Sequence, residues 1–455
     1  MMSLREAAQL VPGATVVGDG ATRIAGVSTD SRTLQPGQLF VALCGLSFDG
    51  HDHAPAAVVA GAAAVMVARP LAVDVPQLVV PATLRALGAL AAGWRARFAL
   101  PVIGVAGSNG KTTVTQMIAA ILGSAFGERQ RLATRGNLNN EIGLPLMVLQ
   151  LNARHRAAVF ELGMNHPGEI AMLAAIARPT VALVNNAQRE HQEFLASVEA
   201  TAQENGAAIA ALPAEGVAVF PADDGCAPLW RQLAGTRRVL DFSLDGDAAI
   251  TAQARTTSAG STLSIATAAG VIDARLAVAG RHNVHNALAA AACAVAVGVA
   301  PQFIAAGLAA FRPVAGRGAS IKLPSGAVLI DDSYNANPDS VRAAIDSLVS
   351  HAPPCTLVLG DMGETGHQGP AFHREIGDYA RAAGVATLLA LGDATRETVH
   401  AFGKGALHFE EIGPMLDRAR IEATRGGTIL VKGSRFMQME RVVQALTTAQ
   451  TAGVH

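Results

Sequence analysis

Ten residues constrain this chain more than any others: Gly104-Val105-Ala106-Gly107-Ser108-Asn109-Gly110-Lys111-Thr112-Thr113. The apolar run Pro101–Ala106 leads in and reads as a short buried strand, and Thr112–Ala120 reads as the first turns of a helix. A loop of small residues between them, closed by Lys-Thr, is the layout of a phosphate cradle. Backbone N–H groups and a helix N-terminus face an anion, and the lysine reaches the terminal phosphates. The spacing Gly104, Gly107, Gly110 misses the strict pattern by one residue, because Val105 stands where its first glycine belongs. Gly107, Ser108, Asn109, Gly110, Lys111, Thr112 and Thr113 are therefore candidate nucleotide contacts. Lys111 is a candidate catalytic charge, and Thr112 offers a hydroxyl to Mg²⁺.

The rest of the composition narrows the class. A chain of 455 residues, half of them apolar, has material for several cores and roughly two to four domains. Aromatics are scarce and Ala and Gly abundant, which predicts close helix–sheet packing. A net charge of −1 without a long basic run argues against nucleic acid as a partner. The four cysteines are far apart, with no C-x-x-C, as expected of buried thiols in a reducing compartment. Arg5 and Glu6 precede any apolar stretch, and the Ala-rich runs near 56–68 and 287–300 are too short to cross a bilayer. The expectation is a cytoplasmic protein with no membrane insertion.

Residues 1–98 alternate short β-branched runs (15–17, 38–42, 64–67, 78–80) with Ala-rich helical stretches, which predicts a small α/β domain. From 99 to 312, strand–helix alternation (102–106, 157–161, 181–185, 216–220) predicts a mostly parallel sheet covered by helices. Residues 249–276 read as antiparallel strands. A Pro/Gly segment, Phe311–Gly318, is a hinge candidate, as is the Trp94–Phe98 joint. Residues 313–455 then repeat the alternation (328–331, 356–359, 387–391, 428–431) as a third, Rossmann-like domain.

Several groups stand where such sheets bind ligands. Glu161 ends the run Ala157–Phe160 and offers a carboxylate to a metal. His191 follows the strand 181–185. Gly280-Arg281-His282-Asn283-Val284-His285-Asn286 opens a helix and either reads a nucleobase or caps it. Asp331-Asp332-Ser333-Tyr334-Asn335-Ala336-Asn337-Pro338 follows a strand, as a ribose and base clamp or as an Asx-rich turn. Lys432-Gly433-Ser434-Arg435 is a small cationic loop suited to a carboxylate or phosphate. No Ser-His-Asp elbow, H-E-x-x-H or redox cysteine pair occurs, so the chemistry on offer is phosphoryl transfer with a cationic receptor in a separate domain.

In this order the segments resemble the Mur ligase family over essentially the whole chain. The phosphate loop matches, as do Asn139-Asn140-Glu141-Ile142-Gly143-Leu144-Pro145, Glu161-Leu162-Gly163-Met164-Asn165, Gly280–Asn286 and Asp331–Pro338. Tyr334–Pro338 and Lys432–Arg435 are similar to the signature of the member that adds a dipeptide to a nucleotide-sugar tripeptide. The D-N-P-R motif of the diaminopimelate-adding member is absent. Ser28-Thr29-Asp30-Ser31-Arg32 and Phe48-Asp49-Gly50-His51 are similar to UDP-sugar-binding segments.

The resemblance implies ATP and Mg²⁺ as cofactors, UDP-MurNAc-tripeptide and D-Ala-D-Ala as substrates, a monomer, and a place in peptidoglycan precursor synthesis. It implies Lys111, Glu161 and His191 in catalysis; Thr112, Glu161, His191 and Glu204 at metal; and Asn283, Arg317, Asp331 and Asn335 at the nucleotide. Ser31, Arg32, Asp49, Gly50, His51, Asn139, Lys432 and Arg435 would bind substrate. The family often has a carbamylated lysine about a dozen residues after the position of His191. Here no lysine occurs between Lys111 and Lys322, and Gln203 stands near that place; either Glu204 or Glu199 supplies the charge, or the site has one metal fewer or a water in its place. Two other readings are a related amide ligase, such as a folylpolyglutamate synthetase, and a regulatory P-loop NTPase. The N-terminal domain and Tyr334–Pro338 argue against the first, and the Lys432–Arg435 loop and the UDP-type N-terminal segments against the second.

Overall fold

Runs of four or five β-branched and small apolar residues without polar alternation make strands buried on both faces. A computed structural model of the protein, describing residues 1–45, 47–190, 192–195, 197–257 and 260–448, places these runs in one central parallel sheet. Its order is Arg238–Val239, Val217–Val219, Val181–Val184, Val102–Ala106, Ala157–Glu161, Arg131–Ala133. Every pairing in it is parallel. From Val102–Ala106 the chain builds outward to one side, then returns to Val181–Val184 and builds to the other. Those two strands are neighbours, so the strand order reverses between them. In open α/β sheets the ligand crevice lies at such a switch point, outside the carboxyl ends of the strands. The phosphate loop and Asn185-Asn186 are the segments that leave those ends.

Besides a two-stranded pairing of Met2–Ser3 with Arg23–Ile24, three larger sheets surround this one among the described residues. Residues 15–79 form five strands in the order Thr15–Val17, Gln77–Val79, Ala64–Val67, Gln38–Val41, Gly26–Ser28, all parallel except the first pair. Ile250–Thr257, Gly260–Thr267 and Gly270–Leu276 pair antiparallel, as their Thr/Ser/Ile alternation predicts, and Phe242–Ser243 adds a parallel edge. The C-terminal sheet has the order Ala319–Lys322, Val328–Asp332, Thr428–Lys432, Cys355–Gly360, Thr387–Leu391, Ala406–Phe409. Its first strand is antiparallel and the rest are parallel. Among the described residues, no helix is long and apolar enough to cross a membrane.

The hydrophobic cores divide the molecule unevenly. One is continuous from Leu39, Leu78 and Leu87 of the N-terminal sheet layer to Leu144, Phe160 and Ile176 of the central unit. Another fills the opposite face of the central sheet, under helices Lys111–Phe126 and Arg281–Ala296, and ends at Phe311. The two C-terminal cores contain only residues from 321 onward. Of the two joints expected to be hinges, the one near 98 is therefore packed shut. Trp94 donates its indole N–H to the Leu151 carbonyl at 3.0 Å and stacks edge-on with Phe98. The joint near 312 carries no shared core. From Gly316 onward the linker belongs to the C-terminal sheet, because the Gly316 N–H donates to Asp331 Oδ2 and the Gly318 N–H to the Asp331 carbonyl.

Arg95 makes the first joint permanent. Its side chain is buried without a carboxylate partner, and burial pushes its pKa down to about 10. The guanidinium donates to the carbonyls of Ala177, Arg178, Phe98 and Leu100, so it closes the end of helix Glu169–Ala177 onto helix Thr83–Arg95. Arg95→Ala would orphan these buried carbonyls. It should cost about 3 kcal/mol and lower the urea midpoint at which the N-terminal and central units unfold together. A wild-type midpoint would contradict this assignment.

Candidate active site

The phosphate loop takes its shape from two glycines. Gly107 has φ +128° and Gly110 φ +82°, both disfavoured for residues with a Cβ. A Cβ on Gly107 would also lie 2.9 Å from the Asn185 nitrogen, and one on Gly110 would lie 2.5 Å from Asn286 Oδ1. The loop is held from outside by residues the sequence did not single out. The Gly107 N–H donates to Asn205 Oδ1 (2.8 Å), the Ser108 N–H to the Asn186 carbonyl (3.1 Å) and the Asn109 N–H to Asn186 Oδ1 (2.8 Å). Asn185 Nδ2 bridges the Asn109 carbonyl and Asn286 Oδ1. Ser108 is buried and exchanges hydrogen bonds with the backbone of Gln188.

Lys111, the first residue of helix Lys111–Phe126, folds back over this loop. Its Nζ donates to the carbonyls of Gly107 (2.6 Å) and Ser108 (3.0 Å) and pairs with Glu190 at 3.1 Å. Glu190 is a second missed residue, visible in sequence only as a charge beside His191. His191 itself lies outside the described residues. Thr112 is buried at the loop, and Thr113 lines the same cleft.

Glu161 is buried at the end of its strand. Asn139 Nδ2 donates to Oε1 at 2.7 Å, while Oε2 is buried with no hydrogen-bond partner. A buried carboxylate oxygen without a donor, beside a threonine hydroxyl and a phosphate loop, has the chemistry an oxygen-seeking divalent cation requires. The residues present therefore fit Mg²⁺.

The cleft, about 1200 Å³, runs from this loop to the C-terminal sheet. Asn283 lines it from helix Arg281–Ala296 of the central unit, and Arg317, Asn335 and Lys432 line it from the C-terminal unit. Asn283 is tied to the Ala279 carbonyl, and Arg317 lies over the Tyr334 ring at 4.0 Å. Lys432 is buried and paired with Asp332 at 2.6 Å, with a second bond to the Asn335 carbonyl. His285 also faces the cleft. Burial lowers its pKa to about 4, so it is a neutral imidazole, and its buried Nε2 has no partner.

Other expectations need correction. Glu204 does not face the phosphate loop: its carboxylate accepts the N–H groups of Gly168 and Ile170 and caps helix Glu169–Ala177. Gln203 is exposed. On helix Val198–Ala210 the face turned to the loop carries Thr201 and Asn205, four residues apart, so Asn205 stands where Gln203 was expected. Asp331 is absent from the cleft lining. It accepts from the Gly316 N–H and the Ser333 hydroxyl, and Asp332 takes the cleft position. Arg435 is exposed, pairs with Glu440 and lies 5.7 Å from the centre of the Tyr334 ring.

The N-terminal candidates do not line this cleft. Ser31 follows a Ser28–Asp30 turn, and Arg32 pairs with Asp30. Asp49 Oδ1 accepts the His51 N–H before the short helix Gly50–His53. Cys44, Asp49 and His51 place possible metal ligands within 4.8 Å of one another. However, the Ala68 N–H donates to His51 Nε2, so Nδ1 carries the proton and donates it to Asp49. With no lone pair free on Nδ1, the cluster is a hydrogen-bonded turn.

A parallel sheet with a phosphate loop at its switch point, facing Lys432 and Arg317 on a Rossmann-like unit, defines an ATP-dependent ligase architecture. The chain belongs to the Mur ligase family. Residues 105–294 match the Mur ligase middle domain, 316–435 the Mur ligase glutamate ligase domain, and 23–95 the Mur ligase family catalytic domain. It is 42% identical over 425 residues to the UDP-N-acetylmuramoyl-tripeptide–D-alanyl-D-alanine ligase of Escherichia coli K12, covering 92% of this chain and 93% of that one. The crystal structure of MurF from Acinetobacter baumannii is similar throughout, with a TM-score of 0.91, 32% identity and 98% of both chains covered. The MurF ligase of Thermotoga maritima in complex with ADP matches with a TM-score of 0.82 at 25% identity, covering 93% and 97%.

Two outcomes follow from this geometry. Gly110→Ala should weaken binding of an ATP analogue by about tenfold or more in calorimetry while the circular dichroism spectrum is kept. Glu204→Gln should lower stability by about 1 kcal/mol in urea titration and leave the Mg²⁺ titration of activity unchanged. A raised Mg²⁺ requirement would return Glu204 to the metal.

Proposed function

We propose that this protein ligates D-Ala-D-Ala to UDP-MurNAc-tripeptide with ATP, giving UDP-MurNAc-pentapeptide, ADP and phosphate. The observation that carries the reading is the pairing of a phosphate loop with an orphaned, buried Glu161 oxygen across a cleft from Lys432 and Arg317. The identity to the E. coli ligase over nearly the whole chain supports the choice of substrates. Three domains, 1–98 for the UDP end, 99–312 for ATP and 313–455 closing over both, accord with the sheets and with a core that breaks near 312. The setting we propose is cytoplasmic, with the protein acting as a monomer.

The tripeptide's terminal carboxylate attacks the γ-phosphate, releasing ADP and forming an acyl phosphate. The dipeptide amine then adds to the carbonyl and expels phosphate. Negative charge concentrates on phosphoryl oxygens, which the N-terminus of helix Lys111–Phe126 favours, while the N–H groups of Gly107, Ser108 and Asn109 are spent on Asn205 and Asn186 and fix the loop's shape. Lys111 exchanges Glu190 and the loop carbonyls for the β- and γ-phosphates. Thr112 and Glu161 would hold Mg²⁺, which supplies Lewis-acid charge to the phosphates, and Asn139 fixes the Glu161 carboxylate. Arg317, stacked on Tyr334, and Asn335 border the nucleotide from the C-terminal side, and Asn283 borders it from the central unit. His285, neutral at all working pH values, offers its unpaired Nε2 to the same pocket.

Lys111→Ala should lower ligation by orders of magnitude with the fold intact. Glu161→Gln should raise the Mg²⁺ needed for binding an ATP analogue, read by calorimetry without turnover. Phosphate release should require both UDP-MurNAc-tripeptide and D-Ala-D-Ala. Release without either would favour a regulatory NTPase.

A further inference from the structure

The C-terminal unit shares no hydrophobic core with the rest of the described chain, so the contacts that seat it against the phosphate loop are polar. Most of them converge on one residue. Arg189 donates from Nε and Nη2 to Asp339 (3.1 and 2.6 Å), from Nη1 and Nη2 to Glu375 (2.6 and 3.0 Å), and from its backbone N–H to Asp339 (2.9 Å). The Phe372 ring covers the guanidinium at 5.1 Å. Asp339 lies in the first turn of helix Pro338–Val349, where the helix N-terminus favours its charge. Glu375, on helix Gly369–Ala382, is shared with Arg342 and is held below the usual carboxylate range chiefly by its bond from Arg189. The planar fork of arginine fits two carboxylates at once, which a lysine cannot do.

The residues beside Arg189 point the other way. Asn186 and Gln188 hold the Ser108 and Asn109 portion of the phosphate loop, and Glu190 pairs with Lys111. One extended segment thus grips the loop with residues 186, 188 and 190 and grips the C-terminal unit with 189. A direct link across the same cleft, Asn337 Nδ2 to Asn109 Oδ1 at 2.9 Å, adds to it.

We propose that Arg189 is a positioning residue for the ligation: through Asp339 and Glu375 it seats the C-terminal unit, and through Glu190 it ties that seating to Lys111. The kinetic half of this inference rests on the function proposed above; the structural half stands without it. Lys432, on the amine acceptor side of the cleft, is carried by the C-terminal unit. Loss of the seat therefore misplaces one reactant relative to the other, an effect on turnover more than on substrate affinity.

The test combines small-angle scattering with steady-state kinetics on the full chain. Arg189→Ala should enlarge the radius of gyration, lower kcat by about tenfold or more and leave KM for UDP-MurNAc-tripeptide within about twofold. Arg189→Lys should recover part of both changes. Glu375→Gln should move both in the same direction, and the double variant Arg189→Ala/Glu375→Gln should be no worse than Arg189→Ala alone. Unchanged scattering, unchanged kcat in an expanded variant, or additive losses in the double variant would each overturn the proposal. Should Arg189→Ala fail to fold, Glu375→Gln and Arg189→Lys decide by the same criteria. A wild type that ligates nothing, beside an Arg189→Ala variant that expands, would refute the function and leave the seat standing.

Discussion

Everything in the active cleft depends on the adjacency of two parallel strands, Val102–Ala106 and Val181–Val184. The loop leaving the first strand cannot hold its own anion-binding shape, since its glycines favour no one conformation. The segment leaving the second strand supplies what is missing. Asn185, Asn186 and Gln188 satisfy the loop's peptide groups, and Asn205 adds one more from the helix behind. The cradle is preorganised because a neighbouring strand end, reached only after about seventy further residues, is hydrogen-bonded into it.

The same strand end sets how the molecule is divided mechanically. The N-terminal and central units share a core and are pinned by the buried Arg95, so they behave as one body. The C-terminal unit has separate cores and reaches the others through a short linker and polar contacts. Ion pairs and amide contacts break and re-form more readily than a packed core, because water offers equivalent partners on opening. Of the two joints, only the one near 312 is thus left without a shared core.

Charge is handled in pairs across the cleft. Lys111 rests on Glu190, Lys432 on Asp332, and Arg189 on Asp339 and Glu375. Each partly buried cation is therefore compensated, as the cost of leaving such a charge unpaired demands. Glu161 is the exception, with one oxygen buried and unpartnered.

The one-dimensional pattern determined a good deal. Unbroken apolar runs revealed the strands at 102–106, 157–161 and 387–391 within a residue or so, and the phosphate loop announced itself by spacing. Short edge strands such as Arg238–Val239 and Ala319–Lys322 escaped notice, since an edge needs no apolar run. Lys111, Thr112, Glu161 and Asn139, singled out by local context, lie together along the cleft. Glu190, Asn186, Asn205 and Arg189 were not singled out, because their partners lie about 75 to 190 residues away and no local signal encodes the pairing. Glu204 and Asp331 misled for the complementary reason. A carboxylate has the same letters whether it holds a metal or caps a helix, and only the tertiary structure, by placing Gly168 and Gly316 against them, decided which.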